Sequence, residues 1–313
     1  MFDHIVVPLD GSKLSEAALA YVAPLARSLG SKVVLLHAYD NPYVDLLSAH
    51  PGAREIAPDQ NAVAAASDYL NGTRDRLQSD GVQCDIRIMR GAPAAVILKY
   101  IEERRPDLIA MSTHGRSGLR RMLVGSVTTT ILPRAETPVL IVHPAEGEEH
   151  PETSFESLVV PLDMSYRSEH ILPVAAELAD ALNLDTTLVT CVPSQSQLYI
   201  GSGHEVYPYP DDLMEQAQES AEEYLQSSTD AAARGRQRNV RWECLDGGPA
   251  GAIVEYAESQ PNSLIAMCTQ GRTGLGRWVL GSVTDAVIRS GNTPVLVVPQ
   301  PPDAPSGEPA LTV

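Results

Sequence analysis

The chain lacks the features of membrane, nucleic-acid-binding and secreted proteins. It has no run of eighteen or more apolar residues, so we expect no transmembrane helix. Lysine and arginine number 23 against 40 aspartates and glutamates, a net charge of −17. That surplus opposes binding to nucleic acid and to anionic membranes. The N-terminus lacks the basic segment and long apolar stretch of a signal peptide, and we expect a cytoplasmic location.

Cysteine is scarce and dispersed. Cys84, Cys191, Cys244 and Cys268 form no CxxC pair, and no histidine–cysteine cluster has the spacing of a metal site. We therefore expect no metal site and interpret the cysteines as small buried side chains. GxxxxGK[ST] is also absent, which argues against a P-loop protein, and no Ser/His/Asp pattern is present. No catalytic residue is assigned.

What the chain does contain is a glycine-bearing stretch that occurs twice. Residues 113–144 and 269–300 share 15 identities in 32 positions, far above chance. Gly115 and Gly271 are 156 residues apart, as are Gly125 and Gly281. The chain is therefore interpreted as a duplication, and each half has the size of an ordinary domain. We predict domains at residues 1–145 and 156–300, a linker at 146–155 and a disordered tail at 301–313.

Within each half, short apolar runs alternate with segments of helical periodicity. This order predicts an α/β fold, with two tandem domains that each contain a five-stranded parallel sheet and helices on both faces. Leu14–Leu29 and Val127–Arg134 are expected to be continuous helices, and residues 193–210 an irregular insert. The strands predicted in the first half are His4–Leu9, Val33–Ala38, Val82–Met89, Leu108–Met111 and Val139–Val142.

The ends of these strands indicate a binding site. Ligands of parallel sheets bind beyond the carboxyl ends of the strands, where Asp10, Ala38 and the loop after Met111 are expected. That loop carries glycines and ends where a helix begins, so it can direct several backbone N–H groups to one point. Phosphate is the usual occupant of such a site.

The Pro-Leu-Asp and Gly-x-Pro segments and the glycine loop together resemble a tandem universal stress protein, over nearly all of each half. The nucleotide-binding signature of that family is Gly-x-x-Gly, nine residues, then Gly-Ser or Gly-Thr. Gly115 with Gly125-Ser126, and Gly271 with Gly281-Ser282, match its second and third glycines. Ser112 and Cys268 stand where the family has its first glycine.

The resemblance implies an ATP site in each half, with or without Mg²⁺. Asp10 and Asp163, in their Pro-Leu-Asp segments, would contact adenosine, Ala38 and Val192 would offer backbone to adenine, and Met111 and Met267 would pack near the base or ribose. The glycine loops would face the phosphates, although an exposed position in the loop is favoured for Arg116 and Arg272. The alternative for Asp10 and Asp163 is a turn residue at the start of a helix. The implied nucleotide-binding residues are Pro8, Asp10, Ala38, Met111, Gly115, Arg116, Gly125, Ser126, Val127, Pro161, Asp163, Val192, Met267, Gly271, Arg272, Gly281, Ser282 and Val283.

Three functions remain open at this stage. The first is a stress-response protein that binds ATP and signals by nucleotide occupancy. The second is a structural or regulatory module without nucleotide, which the side chains of Ser112 and Cys268 motivate. The third is a slow ATPase. The resemblance also implies that the two halves pair through their last strands, Val139–Val142 and Val295–Val298, and leaves a homodimer open.

Overall fold

The computed structural model describes residues 2–39, 60–113, 125–144, 153–192, 199–200, 207–208, 211–233, 240–269 and 280–300. It divides into two compact units, the first ending at Thr153 and the second beginning at Ser154. Residues 146–152 of the predicted linker and the predicted tail lie outside the described ranges. The pairing of the two halves and the homodimer stay predictions.

The first unit alternates strands and helices, as the apolar periodicity predicts. In the ranges given above, β1 leads into two helical segments, and one described helix follows each of β2, β3 and β4. In chain order the elements are β1 His4–Pro8, α1 Lys13–Glu16, α2 Leu19–Leu29, β2 Lys32–Tyr39, α3 Gln60–Ser79, β3 Gln83–Arg90, α4 Pro93–Arg104, β4 Leu108–Ser112, α5 Ser126–Ile131 and β5 Val139–Val142.

These five described strands are parallel and lie in the order β3-β2-β1-β4-β5. The chain runs outward from β1 to β3, returns past β1 to β4, and continues to β5. Right-handed crossovers therefore place helices on both faces of the sheet. Successive residues of β1 point to opposite faces, and Ile5, Val6 and Val7 are at most 1% exposed, so both faces are covered.

The second unit repeats this plan. Its main strands are also parallel, in the order β10-β7-β6-β11-β12. The elements are β6 Ser157–Pro161, α6 Tyr166–Glu169, α7 Ile171–Leu182, β7 Asp185–Val192, β8 Tyr199–Ile200, β9 Tyr207–Pro208, α8 Asp211–Ala233, β10 Val240–Asp246, α9 Pro249–Ser259, β11 Ser263–Cys268, α10 Ser282–Ser290 and β12 Val295–Val298. The predicted fold class is confirmed. No helix in the described ranges is long and apolar enough to cross a membrane.

Three local predictions were wrong. The helix expected at Leu14–Leu29 is broken between α1 and α2, where the amides of Ala17, Ala20 and Tyr21 bond to carbonyls three residues back. Apolar periodicity does not distinguish this tighter turn from an α-helix. The helix expected to reach Arg134 ends at Ile131. Within the predicted irregular insert, β8 and β9 form an antiparallel pair.

Both units end the helix before their second strand in the same way. Gly30 follows α2 with φ 69°, and Asn183 follows α7 with φ 62°. The Asn183 amide donates to the Ala179 carbonyl and so satisfies an otherwise orphaned acceptor. Glycine adopts this left-handed conformation freely, and asparagine is one of the few other residues that tolerate it.

We expect Asn183→Ala to lower the free energy of unfolding of the second unit by about 1 kcal/mol, because alanine is strained at positive φ. Trp242 and Trp278 are the chain's two tryptophans and both lie in the second half, so urea denaturation followed by tryptophan fluorescence reports on this unit. Asn183→Gly is the matched control and should denature at the wild-type midpoint or above it. Equal midpoints for Asn183→Ala and Asn183→Gly would contradict this account of the cap.

Candidate functional site

Each unit has a pocket at the carboxyl ends of its central strands. The pocket of the first unit (the first pocket) has a volume of about 200 Å³ and lies among the ends of β1, β2 and β4 and the starts of α4 and α5. The pocket of the second unit (the second pocket) has a volume of about 330 Å³ and occupies the same place among β6, β7, β11, α9 and α10. This edge of a parallel sheet, beside the reversal in strand order, is where α/β domains bind small molecules.

A repeated turn builds the aspartate side of the first pocket. The Asp10 Oδ1 atom accepts hydrogen bonds from the Ser12 amide (2.9 Å) and the Ser12 hydroxyl (2.6 Å). Ser12 in turn caps α1 by accepting from the Ser15 amide. The Ser15 hydroxyl, at 3.3 Å from the Asp10 amide, donates to the Ser12 carbonyl. Asp10 therefore has a structural role at the start of α1 in addition to lining the pocket.

The second unit reproduces this turn atom for atom. Asp163 Oδ1 accepts from the Ser165 amide (3.2 Å) and hydroxyl (2.5 Å), and Ser165 caps α6 through the Ser168 amide. The residue after the aspartate has positive φ in both units, 84° at Gly11 and 63° at Met164. The backbone conformation is therefore kept even where glycine is replaced.

The glycine that precedes α5 closes the opposite side of the first pocket. Its amide, at Gly125, donates to the Thr113 carbonyl at 2.6 Å. A Cβ atom at Gly125 would lie 2.7 Å from that carbonyl oxygen, inside the closest approach that side chains make. The buried Thr128 hydroxyl adds a bond of 3.3 Å to the Ser112 carbonyl. We call these two bonds the β4–α5 clamp.

The second unit has the equivalent β11–α10 clamp. The Gly281 amide donates to the Thr269 carbonyl at 2.6 Å, and the Thr284 hydroxyl donates to the Cys268 carbonyl at 3.0 Å. The Cys268 side chain is buried, and its Sγ lies 3.9 Å from the Ser168 carbonyl. Burial raises the pKa of this thiol to about 12, so the thiol stays neutral at physiological pH.

The clamps engage the backbone amide of the third glycine of each signature. The amides of Gly125 and Gly281 donate to carbonyls, and the expected contact of these glycines with phosphate stays a prediction. The first bonds inside the helices run from Thr129 to Gly125 and from Asp285 to Gly281. The amides that come before these two residues in each helix have no carbonyl partner within the helix itself. These donors belong to Ser126, Val127 and Thr128 in the first unit, and to Ser282, Val283 and Thr284 in the second.

Most of the described candidate residues meet at the pockets. Val192 is the exception, and Gly115, Arg116, Gly271 and Arg272 lie outside the described residues. Contact of any of these residues with a ligand stays a prediction. The candidates that line the pockets are Pro8, Asp10, Ala38, Met111, Gly125, Ser126 and Val127 in the first, and Pro161, Asp163, Met267, Gly281, Ser282 and Val283 in the second.

Val192 was matched to Ala38 in the wrong register. Pro8 is paired with Leu36, and Pro161 with Val189, so the halves are offset here by 153 residues (161 − 8), not by the 156 of the glycine loop. Cys191 is therefore the counterpart of Ala38, and it lines the second pocket. The ends of the two predicted strands, Ala38 and Val192, were taken as equivalent, which gave an offset of 154 (192 − 38), one residue too large.

Hydrogen bonds to equivalent carbonyls confirm this register. His37 Nδ1 lies 2.8 Å from the Leu9 carbonyl, and the Thr190 hydroxyl donates to the Leu162 carbonyl. A carbonyl oxygen only accepts, so Nδ1 of His37 carries a proton. His37 thus corresponds to Thr190 and supports the backbone beside Asp10.

Sequence reasoning missed part of each pocket wall. The prolines and isoleucines at the starts of α4 and α9 were not among the predicted site residues, although a Gly-x-Pro segment, at residues 91–93 and 247–249, marks both places. The threonines of the clamps also carried a signal, since Gly-Ser-Val-Thr occurs in both halves. The missed lining residues of this kind are Pro93, Ile97 and Thr128, and Pro249, Ile253 and Thr284.

Each unit thus has the architecture of small-molecule-binding α/β domains, a parallel sheet with a pocket at the carboxyl ends of its strands. A profile of the Universal stress protein family matches residues 1–143 and again residues 154–299. The chain belongs to the universal stress protein family and carries two copies of its domain.

Individual relatives agree with this assignment. Universal stress protein MJ0531 of Methanocaldococcus jannaschii is 29% identical over 149 residues, which are 47% of this chain and 86% of that protein. Universal stress protein Rv2005c of Mycobacterium tuberculosis is 30% identical over 141 residues, 44% of each chain. The crystal structure of a universal stress protein from Archaeoglobus fulgidus superposes with a TM-score of 0.63 at 19% identity and covers 96% of this chain and 97% of its own. That last likeness concerns the fold alone.

The close approach at Gly125 generates a prediction. We expect Gly125→Ala to destabilise the first unit by about 1–3 kcal/mol, because the added methyl group overlaps the Thr113 carbonyl. The measurement is urea denaturation followed both by far-UV circular dichroism and by tryptophan fluorescence. The circular dichroism transition should shift more than the fluorescence transition, since both tryptophans lie in the second half.

Gly72→Ala is the matched control. Gly72 lies in α3, and an added Cβ would meet nothing within 4 Å. Alanine loses less backbone entropy in a helix, so this variant should be more stable by about 0.5–1 kcal/mol. If Gly125→Ala denatured like the wild type, the clamp would not require glycine.

Proposed function

We propose that the chain is a stress-response protein that binds adenine nucleotide, ATP in particular, at the carboxyl ends of its sheets and signals by nucleotide occupancy. The observation that carries this proposal is the repeated pocket, which is lined by an aspartate turn, the start of a helix and apolar side chains. A single occurrence could be incidental to the fold. Two occurrences with the same hydrogen bonds support one common ligand.

The pocket walls suit the two ends of a nucleotide. Met111 and Ile97 in the first unit, and Met267 and Ile253 in the second, provide apolar surface for a base. At the opposite side, the starts of α5 and α10 offer backbone amides and a serine hydroxyl. A hydrogen bond to a charged group contributes about 1.5–3 kcal/mol. Three or four such bonds, less ordering costs, give a dissociation constant on the order of micromolar.

We propose binding and not rapid turnover. The one aspartate that lines each pocket already accepts two hydrogen bonds from the serine of its turn, an arrangement that orders the start of a helix. Regulation by occupancy needs only a difference in stability between filled and empty pockets.

A second candidate function rests on the first-glycine positions. Ser112 lines the first pocket and Cys268 the second, where the family signature has glycine. If these side chains obstruct the nucleotide, the chain is a regulatory protein without nucleotide. Both side chains are small, and pockets of measurable volume remain beside them, which favours the nucleotide-binding candidate.

Calorimetric titration of the full chain with ATP tests the proposal. We expect binding with a dissociation constant on the order of micromolar and a rise in melting temperature at millimolar ATP, since a ligand of the folded state stabilises it. Adenine nucleotide released by heating the purified protein would agree with this result. No binding and no thermal shift would sink the nucleotide assignment.

Ser112→Gly together with Cys268→Gly separates the two candidates. If the wild type binds no ATP and this double variant does, the side chains close the pockets and the second candidate holds. GTP is the ligand control, because it carries the same triphosphate on a different base. Equal binding of ATP and GTP would contradict a site that contacts adenine. A phosphate-release assay at buffer background excludes the slow ATPase.

A further inference from the structure

The two pockets have the same frame but different linings. The aspartates, the methionines of β4 and β11, the Gly-Ser-Val-Thr segments and the prolines and isoleucines of α4 and α9 occur in both. The described linings differ where β2 and β7 end, with Val189 in the place of Leu36 and Cys191 in the place of Ala38. They differ again at the first-glycine position, and Met164 and Thr190 line the second pocket alone. Among the described residues, the two pockets therefore differ in only a few side chains.

The two pockets differ first in volume. The second pocket holds about 330 Å³ and the first about 200 Å³. Pockets that bury ligands of drug size measure roughly 300–1,000 Å³, so only the second reaches this range. Val189 is one methylene smaller than Leu36, and both are almost wholly buried, so neither can swing aside into solvent.

The two pockets also differ in the chemistry of their lining side chains. Four sulfur-bearing side chains line the second pocket, those of Met164, Cys191, Met267 and Cys268. In the first pocket, Met111 is the one sulfur-bearing side chain among the described lining residues. Sulfur is polarisable and packs favourably against aromatic rings. An aromatic base is therefore held more favourably in the second pocket.

Net charge acts in the opposite direction. Residues 154–313 carry 8 basic and 21 acidic side chains, whereas residues 1–153 carry 15 basic and 19 acidic ones. The second half therefore repels a polyphosphate more strongly. At physiological ionic strength, however, the screening length is about 8 Å, and exposed charges farther away contribute little. Salt does not screen the contacts inside the pocket in this way, so the lining residues determine the difference in nucleotide affinity between the two pockets.

We infer that the two units are unequal sites, with the second pocket binding adenine nucleotide more tightly than the first. This inference rests on the proposed function and deepens it. At low ATP the chain carries one nucleotide, in the second unit. The first unit fills only as the concentration rises, so the chain responds to nucleotide over a wider range than a single site does.

Titration of the full chain with ATP tests this inference, with Val189→Leu and Leu36→Val as reciprocal variants. The wild type should show two classes of site whose dissociation constants differ by about tenfold, the effect of roughly one methylene in a tight pocket. Val189→Leu should weaken the tight class by about tenfold and leave the weak class unchanged. Leu36→Val should strengthen the weak class and leave the tight one unchanged.

Each variant contains its own folding control, because the class of the untouched unit must keep its wild-type affinity and stoichiometry. If the two sites of the wild type bound ATP with equal affinity, the inference would be overturned and the proposed function would stand. A tight class that responds to Leu36→Val and not to Val189→Leu would have the same consequence. If neither unit binds ATP, the proposed function fails as well, and the two failures are thereby told apart.

Discussion

Both candidate sites depend on one close backbone contact, the hydrogen bond of 2.6 Å from the glycine amide before α5 or α10 to the threonine carbonyl after β4 or β11. At Gly125 this contact leaves no space for a Cβ atom. It fixes the start of the helix against the end of the strand, beside the pocket that the first helix residues line. A buried threonine hydroxyl bonds the same two segments a second time. The glycine therefore positions the first amides of the helix while its own amide is engaged in the clamp.

Duplication has kept this frame while the lining of the pocket changed. The aspartate turn, the clamp and the order of strands are the same in both units, and each is held by backbone geometry or by side chain to backbone bonds. The side chains that project into the pockets obey no such constraint, and Cys191 and Met164 stand where the first half has alanine and glycine. The frame thus allows two sites with one architecture and different affinities.

The sequence was sufficient for the duplication, the parallel α/β fold and the edge of the sheet where the pockets lie, because periodicity and repeated glycines encode them directly. It was insufficient for features that depend on register. Val192 was selected in place of Cys191, since the residue count between strands is seen only once the strands are paired. The break between α1 and α2 leaves the apolar pattern unchanged. The clamp threonines look like ordinary helix residues until their carbonyl partners are known.

The central claim is that the pockets between the aspartate turns and the clamped helices hold the adenine nucleotide. A crystal structure of the full chain grown with ATP tests it most directly. The structure should show the base beside Met267 and the phosphates at the amides of Ser282 and Val283, with the Gly281 to Thr269 bond intact. Nucleotide density elsewhere on the chain, with both pockets empty, would contradict the claim.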